Sequence, residues 1–307
     1  MNNESDGSPT AVAEPADAIG LDEAVAVREL APGRYAATVH PSWDGPLTTH
    51  GGILAAIILR AVDSHTNAER TMQVRTLACH YLRPPVHGDI EVIVTPLRSG
   101  RRFASAAATI EQDGKTCVTA LLTHSARGLP DVGRWQPALP QVAPAPLREA
   151  PSLGPLAYYA EPGENWLAMP EQALRFFQRL KVAPRFGDMI FMGSPIEPGQ
   201  GAENGGWLTL PQPRPVDPEL LAVFVDAFWP SPMQSMRTLA MSPTIDLTIH
   251  FRAVLPPEGL PDQPLLAYNN SIALVDGMWD SDSRIFTAGG ELLAQARQLQ
   301  FVAPLKP

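Results

Sequence analysis

Cysteine is nearly absent from this chain of 307 residues: there are two, Cys79 and Cys117. They stand too far apart for a CxxC redox or zinc pair, and neither has a metal-ligating neighbour. That usage fits a reducing compartment and an expected cytoplasmic location. Positive charge is also scarce, 23 Lys and Arg against 32 Asp and Glu for a net charge of −9. Nothing here is the electrostatic footprint of a nucleic-acid or anionic-membrane partner. No apolar run approaches the ~20 residues of a membrane span; the longest, around Ile53 to Val62, is too short. The opening stretch MNNESDGSPTAVAEPADA lacks the basic region and apolar core of a signal peptide, so residues 1–18 read as a disordered tail. Several chemistries lack their motifs, since there is no GxSxG elbow, HExxH, P-loop or dinucleotide GxGxxG. Asp280-Ser281-Asp282 is too short for a calcium loop, and no metal or organic cofactor is expected.

Proline, by contrast, is in excess, with 33 residues against a usual share of about 5%. Because proline breaks helices and central strands, its placement marks the organisation. Pro130, Pro137, Pro140, Pro144, Pro146, Pro151, Pro155 and Pro162 crowd one stretch, the composition of an extended linker. The expected division is an N-terminal unit over 19–127, a Pro-rich linker over 128–169 and a C-terminal unit over 170–307.

In the first unit, Gly33 to His40 reads as a strand. His50-Gly51-Gly52 then opens a helix with a one-sided apolar stripe at Leu54, Ile57, Ile58, Ala61 and Val62. Strand-like runs follow over Gln73 to Leu82, Asp89 to Leu97, Arg102 to Gln112 and Thr116 to His124, with Asp113-Gly114 as a hairpin signal. The second unit repeats the order. Gly206 to Leu210 is a strand, and Asp217-Pro218-Glu219 starts a helix, with an N-cap aspartate and proline at the first helical position. That helix is expected to reach Pro230. Thr244 to Arg252 alternates, with Ile245, Leu247, Ile249 and Phe251 on one face and Thr244, Asp246, Thr248 and His250 on the other. Strands over Leu265 to Val275, Ser283 to Ala288 and Leu292 to Val302 complete it.

Leu77-Ala78-Cys79-His80-Tyr81 aligns with Leu247-Thr248-Ile249-His250-Phe251, and Asp113-Gly114-Lys115 with Gly289-Gly290-Glu291. The pattern is an internal duplication, each copy a curved sheet around a helix. The two sheets are expected to pair edge to edge, which hides edges that would otherwise be open.

Strand, Gly-Gly helix and antiparallel meander, written twice, resemble the acyl-CoA thioesterases of the thioesterase II type. The resemblance rests on His50-Gly51-Gly52, on Cys79-His80-Tyr81-Leu82-Arg83-Pro84, and on Leu97-Arg98-Ser99-Gly100 with Phe103. It extends to Asp113-Gly114-Lys115, Asp226, Thr244-Ile245-Asp246 and Gln298. It implies an α+β fold, the double hotdog, an acyl-CoA substrate and a possible homo-oligomer. It also implies a catalytic group of Asp226, Thr244 and Gln298 that holds the attacking water. Leu299-Gln300 stands where family enzymes commonly carry Glu-Gly, and His50 where many have an aromatic residue.

The chemistry such a site requires is modest. A thioester leaves as a thiolate, whose parent thiol has a pKa of roughly 8.5, so what is needed is a positioned water, a carboxylate to take its proton, and donors for an oxyanion. Asp226 can be the base; Thr244 and Gln298 can orient the water. His50, Gly51 and Gly52, at a helix N-terminus, suit substrate binding, through an oxyanion or a coenzyme A phosphate. From the residues alone, Asp226 reads first as an aspartate on a wet helix face, and Thr244 and Gln298 as ordinary strand residues, and it is the resemblance that reverses the reading; Asp246 is the reserve carboxylate. The first-unit counterparts, about Val74 and Leu122, cannot orient water, so one site per chain is expected. The alternative is a non-catalytic acyl-CoA or acyl-carrier-binding protein on the same fold. A third reading, a hydratase or dehydratase of the same fold, finds no paired Asp/His motif of that subgroup in this sequence.

Overall fold

Local turn chemistry sets most of the chain's reversals. At Asp113-Gly114 both residues take positive φ, 51° and 70°, the pairing a tight hairpin demands and one that glycine adopts without strain. The computed structural model describes residues 18–45, 49–69, 71–130, 132–160, 163–168, 175–188, 193–196, 199, 201–237 and 240–304. Residues 1–17 of the expected tail lie outside the described residues.

The first half holds α1 (Leu21–Ala24), β1 (Arg28–Ala31), β2 (Arg34–Val39), α2 (Gly51–Thr66), β3 (Met72–Tyr81), β4 (Gly88–Arg98), β5 (Phe103–Gln112) and β6 (Lys115–Ala126). After it come β7 (Ser152–Leu153), α3 (Pro155–Ala160), β8 (Trp166–Leu167), α4 (Arg175–Gln178) and β9 (Lys181–Phe186). The second half holds β10 (Ala202–Thr209), α5 (Pro218–Phe224), β11 (Ala240–Met241), β12 (Thr244–Phe251), β13 (Leu265–Ser271), β14 (Leu274–Val275), β15 (Met278–Thr287), β16 (Leu292–Phe301) and β17 (Ala303–Pro304).

Among the described residues, fifteen strands form one sheet. Its path runs β1-β2-β4-β5-β6-β3-β12-β16-β15-β13-β10-β9-β8-β7, with β14 paired to β15 off the path. The two halves meet at β3 and β12, which run antiparallel. Leu77 faces Ile249, Cys79 faces Leu247, and Ala78 lies opposite Thr248 between them. Exchanging the aligned residues of the two copies therefore maps this ladder onto itself, about an axis through Ala78 and Thr248. The expected edge-to-edge pairing is present.

Inside the sheet lie α2 and α5. Asp217 caps α5 by accepting from Leu220 N at 2.9 Å. The expected one-sided stripe on α2 is corrected: every residue from Gly52 to Leu59 is buried, with Ala61 and Val62. A helix apolar all round belongs in a core, and here the sheet wraps one side while α5 covers another.

Three element boundaries also differ. α5 stops at Phe224 rather than Pro230: Asp226 N and Ala227 N turn to Val223 O and Phe224 O at three-residue spacing, which ends the helical ladder, and Val225 O accepts from Ser283 Oγ at 2.8 Å. The strand expected to Val275 breaks after Ser271, where Asp280 Oδ1 accepts from Ile272 N and Ala273 N at 3.1 and 2.9 Å. β15 begins at Met278, after an Asp276-Gly277 turn with φ of 53° and 70°.

The proline-rich stretch lies along the second half's outer face. Leu139, Val142, Ala145 and Ala150 pack on a cluster of Trp166, Ala183, Trp207, Leu266, Phe286 and Leu292. Arg185 reaches Ala143 O and Pro144 O at 3.3 and 3.0 Å, and Trp207 Nε1 donates to Ala143 O at 2.8 Å. Among the described residues no helix is long and apolar enough to cross a membrane.

Where α2 and α5 cross, Glu219 is buried and its Oε1 accepts from Arg60 Nε at 2.8 Å. Burial, reinforced by the Asp217 charge and opposed by Arg60, raises the Glu219 carboxyl from 4.5 to about 7. Between those values the unfolded chain has already lost a proton that the folded chain retains, so this contribution falls as pH rises and is gone above about 7. The difference in unfolding free energy between wild type and Glu219→Gln, measured by denaturant titration, should therefore change with pH across that window and be level above it. A difference independent of pH would contradict the assignment.

Candidate active site

Asp226 sits in the turn that follows α5, aimed at the start of α2. Its carboxylate is held on both oxygens: Gly52 N donates to Oδ2 at 2.9 Å, and Gln298 Nε2 donates to Oδ1 at 2.8 Å. His50 Nε2 lies 2.6 Å from Asp226 O and 3.2 Å from Oδ2. Facing two acceptors, that nitrogen carries the proton. The backbone on either side is pinned by Ser283 Oγ on Val225 O and by Asn204 Nδ2 on Trp229 O, at 2.8 and 2.5 Å.

Two glycines allow this approach. A Cβ on Gly52 would lie 2.7 Å from Ala222 O and 2.9 Å from Val223 Cα, both backbone atoms; one on Gly51 would lie 3.1 Å from Asp226 Oδ2. The first amides of a helix are unpaired and carry its positive dipole end. Here the Gly52 amide is spent on the carboxylate of Asp226. Tyr81 closes the same corner by donating to Gly51 O at 2.9 Å. Burial holds its phenol well above the usual range, so it stays a neutral donor. Burial likewise pushes the Cys79 thiol up to about 12 and raises that of Cys117, so neither is a ready thiolate nucleophile.

Thr244 reaches the site by a route that strict alternation does not foresee. The ladder between β12 and β16 slips between Thr244 and Asp246, so Thr244 lies opposite Gln300 and Asp246 opposite Leu299. This bulge turns Thr244 onto the inner face with Leu247 and Ile249, and leaves Ile245 36% exposed. Bulges commonly re-aim a side chain in this way. The expected sharing of one face by Thr244, Asp246 and His250 is thus corrected. Asp246 accepts from Leu299 N at 3.2 Å on the other side. Thr244 Oγ1 instead donates to Gln298 Oε1 at 3.0 Å.

Asp226, Thr244 and Gln298 therefore form one hydrogen-bonded group, with His50, Gly51 and Gly52 against its carboxylate end. Sequence reasoning missed Gln300, whose Nε2 donates to Gln298 Oε1 at 2.9 Å, and Trp279 behind it. The signal for Gln300 was its spacing, two residues after Gln298 and so on the same strand face. Phe176 of α4 was also missed; its ring stacks on His50 at 3.7 Å between centroids and 5° between planes.

The duplicated half carries a different set. A matching slip in the β3–β6 ladder lies at Val74 and Thr76, and the register places Val74 opposite His124 and Leu122 opposite Leu77. Val74, Leu122 and His124 thus occupy the places of Thr244, Gln298 and Gln300. There His124 Nε2 pairs with Asp63 Oδ1 of α2 at 2.6 Å. The start of α5, unlike that of α2, is blocked by its own Asp217 cap and carries the buried Glu219.

Comparison with known families and structures agrees with this architecture. Residues 39–125 match the model of the acyl-CoA thioesterase N-terminal domain, and residues 156–302 that of the acyl-CoA thioesterase C-terminal domain. No curated protein matches. Among solved structures, a conserved protein of unknown function with hot dog fold from Alicyclobacillus acidocaldarius superposes with a TM-score of 0.77 at 22% identity, over 93% of this chain and 98% of that one. The acyl-CoA thioesterase II TesB2 from Mycobacterium marinum gives 0.68 at 20% identity, over 94% and 99%. With both halves matched by the two domains of one family, and folded as a double hotdog, this chain belongs to the acyl-CoA thioesterases, which hydrolyse thioesters.

Proposed function

We propose that the chain hydrolyses an acyl-CoA to the free acid and coenzyme A, with Asp226 as general base and Thr244 and Gln298 as the groups that place the water. The observation that supports this most is the anchoring of Asp226, fixed on both oxygens by Gly52 N and Gln298 Nε2 and 10% exposed. Held so, it has lone pairs left to accept from a water. Thr244, its own proton committed to Gln298, can accept the water's second hydrogen and leave the oxygen lone pair aimed at the thioester carbon.

Water oxygen then bonds to the carbonyl carbon as Asp226 takes a proton. The tetrahedral intermediate collapses with cleavage of the carbon–sulfur bond, and the proton on Asp226 passes to the departing thiolate. The second N–H of Gln298 and the positive end of α2 are the groups at hand for the developing oxyanion. In this reading Gly52 and His50 hold the base in place, and Gly51 keeps the corner open.

Two measurements test the site. Asp226→Asn should lower thiol release from short, medium and long acyl-CoAs by at least about 100-fold while the thermal melt stays near that of the wild type. Unchanged turnover would remove Asp226 from the mechanism, and acyl-CoA binding with no thiol release at any chain length, even in the wild-type chain, would favour the non-catalytic alternative. Gly52→Ala should push α2 away from Asp226 and cost on the order of 100-fold in kcat, the scale of a displacement of about 1 Å at a reacting centre. Gly20→Ala, where a Cβ meets nothing within 4 Å, should leave kcat unchanged. Equal effects of the two substitutions would contradict the role given to Gly52.

A further inference from the structure

The directions of the hydrogen bonds behind Gln298 carry an inference that rests on the site assignment just proposed. The chain begins at Trp279, whose indole Nε1 can only donate; it does so to Gln300 Oε1 at 2.7 Å. Ser242 Oγ donates to the same oxygen at 3.1 Å. With its oxygen occupied, Gln300 turns its Nε2 to Gln298 Oε1 at 2.9 Å and to Thr244 Oγ1 at 3.4 Å. The Gln298 oxygen, which also accepts from Thr244 Oγ1 at 3.0 Å, is then doubly occupied. Only its Nε2 is left for Asp226 Oδ1, at 2.8 Å, and a carboxylate can only accept.

One end of this relay is donor-only and the other acceptor-only, so the two amides between them have a single satisfied orientation. Turning Gln300 over would set its N–H against the indole N–H and its oxygen against the oxygen of Gln298. Trp279, Gln298 and Gln300 are 1%, 3% and 6% exposed, so water does not relieve such a mismatch. The same relay decides Thr244, which accepts from Gln300 and donates to Gln298, leaving one lone pair free.

We propose that Gln300, oriented by Trp279, is a positioning residue of the hydrolytic site. It sets the amide direction of Gln298 and the hydroxyl direction of Thr244, and through them the place of the attacking water. It touches neither water nor substrate itself.

The test is the pH dependence of kcat and KM for Gln300→Glu, measured by thiol release on the full chain with Asp226→Asn assayed in parallel. A protonated glutamic acid can still donate to Gln298 and accept from Trp279; an ionised one sets an acceptor against the Gln298 oxygen. The variant should work near the wild-type rate at the acid end and lose about ten-fold or more in kcat as that carboxyl ionises, with KM little changed and a folded circular-dichroism spectrum throughout. The wild type should lack this descending limb. Trp279→Phe, which removes only the terminal donor, should lower kcat several-fold at all pH values, again with KM held.

Wild-type kcat and pH profile in both variants would overturn the proposal. So would a loss in Gln300→Glu that is independent of pH or that falls on KM. Turnover retained by Asp226→Asn is a separate outcome, because it overturns the site assignment itself rather than the relay.

Discussion

The structure depends on one contact between the two copies of its repeat: the Asp226 carboxylate of the second copy against the first amides of α2 in the first. Neither copy has the site alone. The first supplies a helix N-terminus with unpaired donors, and the second a carboxylate in a turn and a strand face of polar side chains. The two glycines at positions 51 and 52 make the contact geometrically possible, since backbone of α5 lies where a Cβ on Gly52 would stand. Burial then makes the contact chemically useful. A carboxylate with fixed donors on both oxygens has its remaining lone pairs aimed in known directions, as general-base catalysis requires.

Duplication gave the molecule two such places, and they have diverged in physically opposite ways. At the site of Asp226 the carboxylate meets an amide N–H, a glutamine and the His50 imidazole, backed by a second glutamine, a threonine and an indole. At the other crossing the helix start is closed by Asp217, and ionisable side chains are hydrogen-bonded in pairs, Arg60 with Glu219 and His124 with Asp63. A donor set of this kind leaves an anion available for proton transfer. Paired groups consume that capacity and instead tie α2 to α5, through Arg60 and Glu219, and to β6, through Asp63 and His124.

How far this was legible in the sequence follows from which forces are local. The hairpin at Asp113-Gly114 and the cap at Asp217 depend on neighbours a few residues away, and both could be read. The duplication was legible because Leu77 to Tyr81 and Leu247 to Phe251 repeat a pattern at matching positions. Asp226, Thr244 and Gln298 were picked out by resemblance to a family, and the structure brings the three together. What could not be read depended on distant partners. α5 looks helical to Pro230, yet its ladder tightens and ends at Asp226 and Ala227, where Ser283 on β15 holds the Val225 carbonyl and Gly52 of α2 holds the Asp226 carboxylate. Strict alternation in β12 sets Thr244 apart from Leu247, and only the slip against β16 turns it inward. Spacing puts Gln300 on the strand face of Gln298, but the role proposed for it, and for Trp279, arises from hydrogen-bond directions across three strands.

In the hydrolysis proposed for this site, a single water, held between Asp226 and Thr244, faces the thioester carbon. A crystal structure of the chain with a non-hydrolysable thioether analogue of an acyl-CoA tests it most directly. The prediction is an ordered water bonded to Asp226 and Thr244, about 3–3.5 Å from the carbon that stands for the reacting one. An analogue seated with that carbon away from Asp226, or against the Asp63–His124 pair of the other copy, would contradict it.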